Sequence, residues 1–309
     1  MNFNVVGIGE VLWDMLLTGP QLGGAPANFA YHAHALGARS TVITRVGDDD
    51  HGREVLRRFQ LMGLPADTVQ VDGSAPTGTA NVRITGNGLA HFIIQEDVAW
   101  DFIASTPEAL TAAQQADAIC FGSLAQRSAT SRSAIQHLVA ATRPDALRVF
   151  DINLRQSYYS RESIERSLHL ANILKLNEDE LPKVVEMFGC AEPTDDGNPA
   201  RTREERQIAA LARLFDLRLV ALTCGPKGSL LYQSGRVSTR PSPPVVVVDT
   251  VGAGDSFTAA LILGLLQNMD FDEINSIANE IASYVCSQAG ATPPLPDEFA
   301  RKFRTARSQ

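Results

Sequence analysis

The chain is expected to fold as an α/β protein: a doubly wound, mostly parallel sheet with helices on both faces and a small β lid. Three observations carry this expectation. Strand-like and helix-like segments alternate along the sequence. Most of the later strand-like runs are apolar nearly throughout, the pattern of parallel strands covered on both faces. One stretch, Gly78–Phe102, instead alternates apolar and polar residues, the pattern of a hairpin with one exposed face. A length of 309 residues accommodates a single large domain of this kind.

Taken in order, NVVGIGE (Asn4–Glu10) reads as the first strand. APANFAYHAHALG (Ala25–Gly37) reads as a helix, with proline in its first turn and glycine closing it. STVITRVG (Ser40–Gly47) is the second strand. HGREVLRRFQLMG (His51–Gly63) is a helix with Val55, Leu56, Phe59 and Met62 at helical spacing. The hairpin follows, with its turn at Gly86–Gly88. Together with residues 11–20 it is expected to form a lid; the other reading is a static edge of the main sheet. DAICFGS (Asp117–Ser123), LRVFDIN (Leu147–Asn153), NILKLN (Asn172–Asn177) and RLVALTCG (Arg218–Gly225) are further strands. CAEPTDDGNPARTREER (Cys190–Arg206) is a polar surface loop leading into a helix. PPVVVV (Pro243–Val248) reads as a last short strand, and DTVGAGDSFTAALILGLL (Asp249–Leu266) as a glycine-rich turn opening an apolar helix.

Composition narrows the function. The chain is 44% hydrophobic and 20% charged, with a formal net charge of -8. Its acidity argues against nucleic-acid and anionic-lipid partners. An anionic small ligand would need a local cradle. The four cysteines, Cys120, Cys190, Cys224 and Cys286, stand apart without CxxC pairs, and the N-terminus has no basic region ahead of its strand. Both point to a reducing cytoplasm. No uncharged apolar run is long enough to span a bilayer. The six histidines form no metal set.

Two stretches carry chemistry. Gly252, Ala253 and Gly254 stand at a helix mouth, where free N–H groups and the helix dipole make an anion site. Asp255 beside them has two readings. It caps the helix, or it takes the proton of a hydroxyl that attacks a phosphoryl group held by the cradle. In the second reading the helix terminus keeps the carboxylate ionised. Gly23–Gly37 opens with Gly23, Gly24 and Pro26 and places Asn28 in the first turn, either as a local hydrogen-bonder or as a partner for a neutral polyol; Asp14 lies just upstream. Known nucleotide motifs are missing. There is no Walker sequence, and Leu12 stands where a dinucleotide fingerprint needs its third glycine.

These two stretches resemble the two signatures of the PfkB (ribokinase-like) carbohydrate kinases. Gly23, Gly24, Pro26, Asn28, Ala30, Gly37 and Gly47 match the first, and Asp249, Thr250, Gly252, Ala253, Gly254 and Asp255 the second. Weaker matches fill the space between. The resemblance implies a ribokinase-like fold and an ATP- and Mg²⁺-dependent sugar kinase. It makes Asp255 the catalytic base and Gly252, Ala253 and Gly254 its anion hole. It makes Asp14, Gly24 and Asn28 ligands of sugar hydroxyls. Asn177 and Glu180 match an NxxE motif that organises Mg²⁺ near the phosphates, Glu180 being the metal-side residue. A capping box places the same two residues without a metal. Thr223, Gly225 and Gly228 match the loop beside the ATP phosphates and ribose. Asn279 matches the adenine region or is a solvated helix residue. Arg155, ending a strand with Asn153, holds a substrate oxygen or phosphate, or forms a surface ion pair. Trp13 and Trp100 shield the sugar or simply pack, packing being the expectation.

The form GGAPAN resembles fructokinases in this family, so fructose is the expected acceptor. A 2-keto-3-deoxygluconate kinase is the alternative, with a nucleoside kinase behind it. A non-catalytic sugar sensor is the reading from another class. A monovalent cation and a homodimer through the lid complete the expectations.

Overall fold

The computed structural model describes residues 3–16, 19–84, 90–190 and 201–305. The expected hairpin turn at Gly86–Gly88 and most of the polar loop after Cys190 lie outside them.

A nine-stranded sheet forms the body. Its chain starts with β1 (Asn4–Ile8), an interior strand third from one edge. The small-sheet strands β2 (Leu12–Leu16) and β3 (Gly19–Gly23) come next, then helix α1 (Ala25–Ala35). The chain returns to the main sheet as β4 (Arg39–Gly47), parallel to β1, and passes through helix α2 (Asp50–Leu61) to the edge strand β5 (Val69–Asp72). It then leaves again to add β6 (Gly78–Ile84) and β7 (Ala90–Ile94) to the small sheet, whose order is β3-β2-β6-β7.

Beyond this excursion the winding reverses. Helix α3 (Pro107–Gln115) leads to β8 (Ala118–Phe121), which pairs parallel with the other side of β1. Helices α4 (Ala129–Ala140) and α5 (Arg161–Leu170) alternate with the parallel strands β9 (Leu147–Asp151) and β10 (Ile173–Asn177). Helices α6 (Leu181–Met187) and α7 (Arg203–Leu214) precede β11 (Leu219–Thr223), the last parallel strand. β12 (Ser229–Gln233) and β13 (Arg236–Arg240) close that edge as an antiparallel hairpin. Helices α8 (Ala253–Leu266), α9 (Phe271–Cys286) and α10 (Asp297–Thr305) end the described chain. The direction of winding therefore switches between β1 and β8, where open α/β sheets bind ligands beyond their strand carboxyl ends.

The apolar runs are continuous because successive side chains enter different cores. Val6, Ile8, Ile119, Phe121, Phe150, Leu174 and Leu176 face the core under α3–α7. Val5, Ala118, Cys120, Val149 and Ile173 face the opposite one, under α1, α8, α9 and α10. Helix α8 is buried from Ser256 to Leu265 because it lies between α1 and α9, which explains its apolar character on every side. In α2, Val55 and Phe59 form the buried stripe, while Leu56 and Met62 are only half-buried.

Two expectations need correction. The hairpin ends at Ile94, and Ala99–Phe102 forms a short 3₁₀ turn instead of more strand. The reason is a buried knot. The Asp101 carboxylate accepts from the Val98 amide at 3.1 Å and pairs with Arg127 at 2.7 Å. The Arg127 guanidinium lies 3.9 Å from the centre of the Trp100 ring and 4.8 Å from that of Tyr158. Trp13 and Trp100 are both buried, as packing residues are. The second correction concerns Pro243–Val248, which joins no strand. Two prolines remove ladder donors, and the Val248 and Asp249 amides donate to the Cys286 carbonyl at the end of α9, at 2.9 and 3.2 Å. Val246 is left 85% exposed. No helix among the described residues is long and apolar enough to cross a membrane.

Breaking a buried ion pair leaves its partner charged and unpaired, which costs about 3–5 kcal/mol. Arg127→Met should therefore lower unfolding free energy in urea by about 3 kcal/mol or more, with Arg53→Met, from an exposed ion pair, staying within about 0.5 kcal/mol. Equal losses in the two variants would show that the knot does not hold the small sheet to the body.

Candidate active site

A cavity of about 1220 Å³ opens at the carboxyl ends of β1, β9, β10 and β11 and runs under the small sheet. Asp14, Gly24, Asn28, Arg155, Asn177, Thr223, Gly225, Gly228, Gly252, Ala253, Gly254, Asp255 and Asn279 all line it. Of the residues expected at the site, Glu180 alone does not.

The head of α8 is built by backbone crowding. Gly252 has φ 81° and is the N-cap; a Cβ there would meet the Ala291 carbonyl oxygen at 2.2 Å. This left-handed turn is available to glycine without strain. It leaves the Gly254 and Asp255 amides without a backbone acceptor among the described residues, so both are free to bind an anion. Asp255 makes no capping bond. Its carboxylate accepts from the Asn28 amide at 2.8 Å, joining the two sequence signatures across 227 residues.

Burial dominates the Asp255 carboxyl and pushes it up to about 6; the nearby Asp151 adds to the rise, while Asn28, Lys175 and Arg155 oppose it. With a pKa of about 6 the group is still ionised in roughly nine molecules of ten at pH 7.

At the small-sheet end, Asp14 belongs to β2 and points back towards Gly23. Burial raises its pKa, and Arg155 opposes the rise. Arg155 is exposed, and its side chain makes no hydrogen bond or ion pair among the described residues, so the surface-pair reading is set aside. Asn153, two residues before it, takes φ 42° at the strand exit.

Asn177 and Glu180 form a reciprocal box. Asn177 Oδ1 accepts from the Asp179 and Glu180 amides at 2.9 and 3.0 Å. Glu180 accepts from the Asn177 and Leu154 amides, each at 2.8 Å. The box is real, and Glu180 is buried within it.

On the far side, a Cβ on Gly225 would meet only Glu178 Oε1, at 3.9 Å. Gly228 is glycine for an internal reason, since a Cβ would meet the Arg240 carbonyl oxygen at 1.9 Å. Asn279 is not solvated. It donates to Ser229 Oγ at 2.7 Å and accepts from Ser242 Oγ at 3.3 Å, which fixes the segment carrying Val245 and Val247 along the cavity wall.

Three groups were not anticipated from the sequence. Lys175 and Asp151 form a buried ion pair at 3.1 Å beneath α8, and Thr258 donates to Asp151 at 2.9 Å. Glu10 lines the cavity with Oε2 buried and without a hydrogen-bond partner among the described residues; burial raises it to about 7. All three sit in strand-like runs. The only signal was a charged residue inside an otherwise apolar run.

The model of the pfkB family carbohydrate kinases matches residues 19–298. The chain belongs to that family. As a carbohydrate kinase it is 31% identical to a fructokinase of Klebsiella pneumoniae, over 98% of this chain and 100% of the relative. It is 27% identical to a sugar kinase of Pyrococcus horikoshii, over 98% and 96%. The crystal structure of the latter in complex with ATP superposes with a TM-score of 0.77 at 26% identity, covering 97% of this kinase and 99% of the other chain. A Xylella fastidiosa fructokinase with bound ATP shares the fold at a TM-score of 0.81 and 18% identity, over 100% and 99%.

The raised Asp255 fixes two outcomes. An acid whose folded pKa exceeds its unfolded value costs stability once the pH is above both. Asp255→Asn removes that cost and should melt higher than wild type at pH 7.5. In the same variant kcat should drop by about 10²–10⁴. Wild-type kcat/KM should fall as pH drops through about 6, as the base is protonated. A variant with near-wild-type kcat would remove Asp255 from the chemistry.

Proposed function

We propose that this kinase transfers the γ-phosphoryl group of ATP to a primary hydroxyl of a ketohexose, D-fructose before others. The observation that carries this reading is the pairing of Asp255 with the unpaired amides of Gly254 and Asp255 at one helix head. The acceptor hydroxyl gives its proton to Asp255 as its oxygen attacks phosphorus. The amides take the charge that develops on the phosphoryl oxygens. Asp14, Gly24 and Asn28 hold the other hydroxyls. ATP lies along Asn177, Thr223, Gly225 and Gly228, with the adenine against the wall fixed by Asn279. The ATP complex of the Pyrococcus horikoshii relative and the fructokinase names among relatives support the two substrates.

Mg²⁺ fits the Asn177–Glu180 turn chemically, since its donors are carboxylate and amide oxygens. The buried Glu180 would act on the ion through its waters, and the ion would supply charge neutralisation at the phosphates. Glu180→Gln should raise the Mg²⁺ concentration for half-maximal activity and leave sugar KM nearly unchanged. An unchanged Mg²⁺ titration with a lowered melting temperature would leave only the capping role.

The small sheet is the lid of this reading, because Asp14, Ala80 and Ile94 from it line the cavity. Closure excludes water that competes as acceptor. Sugar should slow backbone hydrogen exchange in Thr79–Ile84 and Ala90–Ile94 and leave α2 unchanged. Equal exchange with and without sugar would make the sheet static. A homodimer through the outer face of that sheet, and a cytoplasmic setting, belong to the same reading.

A second reading has one observation in its favour: Arg155 is an unpaired cation facing the cavity and suits the carboxylate of 2-keto-3-deoxygluconate. Asp14 opposes it by like charge. Coupled assays across fructose, ribose, tagatose, adenosine and the keto acid decide between them. Fructose should lead by at least about tenfold in kcat/KM, roughly 1.4 kcal/mol. A keto-acid or nucleoside preference would overturn the substrate and leave the kinase standing.

A further inference from the structure

The Lys175 ammonium is buried, and Asp151 is its sole hydrogen-bond partner among the described residues. An ammonium has three N–H donors, so two remain unused. Burying a cation is costly unless its donors are satisfied. The position of the unused pair is informative. A Cβ placed on Gly254 would lie 2.9 Å from Lys175 Nζ. Gly254 therefore permits the close approach of this cation to the amides at the head of α8. Both residues line the cavity. Asp151 is itself held from the other side by Thr258, so the cation is anchored from below.

We propose that Lys175 is a catalytic residue whose ammonium stabilises the phosphoryl group as it passes the anion cradle. This rests on the placing of the phosphoryl group at the head of α8, given above. In the step, the bond from the acceptor oxygen to phosphorus forms as the bond from phosphorus to the leaving ADP oxygen breaks. The hydroxyl proton goes to Asp255, and Lys175 keeps its own proton throughout. The amides of the cradle contribute dipoles; Lys175 contributes a full charge. Bound phosphoryl oxygens supply the acceptors its unused donors lack, so the interaction is strongest where transferred charge passes nearest to Gly254. The ion pair with Asp151 keeps the pair neutral when no phosphoryl group is present.

Lys175→Met alone leaves Asp151 unpaired, so the deciding variant is Lys175→Met with Asp151→Asn, which removes both charges. It is assayed with whichever acceptor the wild-type enzyme turns over fastest, so an error in the sugar does not enter. The expected result is a kcat lower by about 10²–10³ at every pH from about 6 to 9, with sugar KM and ADP affinity within about threefold. A kcat within about threefold of wild type would overturn the proposal, as would a loss that disappears near pH 9, since Lys175 would then serve only to keep Asp255 ionised. Should the paired variant not fold, Lys175→Arg decides: a folded protein with kcat lowered by about tenfold or more supports the contact, and unchanged kcat overturns it. Asp255→Asn, run alongside, separates the two ideas. If it stays active, the reading of the site fails; if it is inactive while the lysine variants work normally, only the proposal fails.

Discussion

The hydrogen bond from Asn28 to Asp255 depends on two helices meeting head to head, and much of the molecule is arranged to let them meet. Helix α1 approaches β1 so closely that a Cβ on Gly7 would meet the Pro26 carbonyl oxygen at 2.2 Å. Helix α8 lies on α1 and α9 with nearly its whole surface buried. His32, buried with its pKa lowered to about 4, ties α1 by its Nε2 to the Ala291 carbonyl, the same oxygen that crowds Gly252. Backbone near residue 291 thus bears on both helices. Shifting either helix would part Asp255 from Asn28.

Charge is concentrated at this junction. Glu10, Asp14, Asp151 and Asp255 lie around it, with Lys175 and Arg155 as the cations that touch their fields. Burial raises three of these carboxyls, so protons are held more tightly here than at the surface. A buried carboxylate with its pKa near 6 can still accept a proton at neutral pH and needs little driving force to lose it again.

Much of the fold was legible because the parallel strands are short and apolar. β8, β9, β10 and β11 all fall within the runs that predict them. The glycine-rich head of α8 was legible because its chemistry is local. What was not legible depends on distant partners. The valines at 245–248 have strand-like side chains, but their backbone is claimed by Cys286, which no local pattern reveals. Residues 95–102 continue an alternating pattern, yet Arg127 draws Asp101 into a turn. Lys175 sits in a run that reads as plain strand; its meaning comes from Asp151 on the neighbouring strand and Gly254 on a helix far along the chain. The reading of Asn279 stayed open in the sequence because its partners, Ser229 and Ser242, lie in another part of the chain.

The glycines that shape the cradle are fixed by other backbone, not by ligand. A Cβ on Gly24 would meet the Glu10 carbonyl oxygen at 2.4 Å, and one on Gly252 would meet that of Ala291. Neither position can take a side chain without moving backbone, so these two points of the cavity wall have almost no room for evolutionary experiment. The small-sheet side is different. Asp14, Ala80 and Ile94 stand on a separate four-stranded sheet, and Arg155 on a strand exit, where side chains can change without moving a helix. Changes in what the cavity admits, whether arising in nature or in the laboratory, should therefore accumulate in that sheet and leave the helix heads untouched.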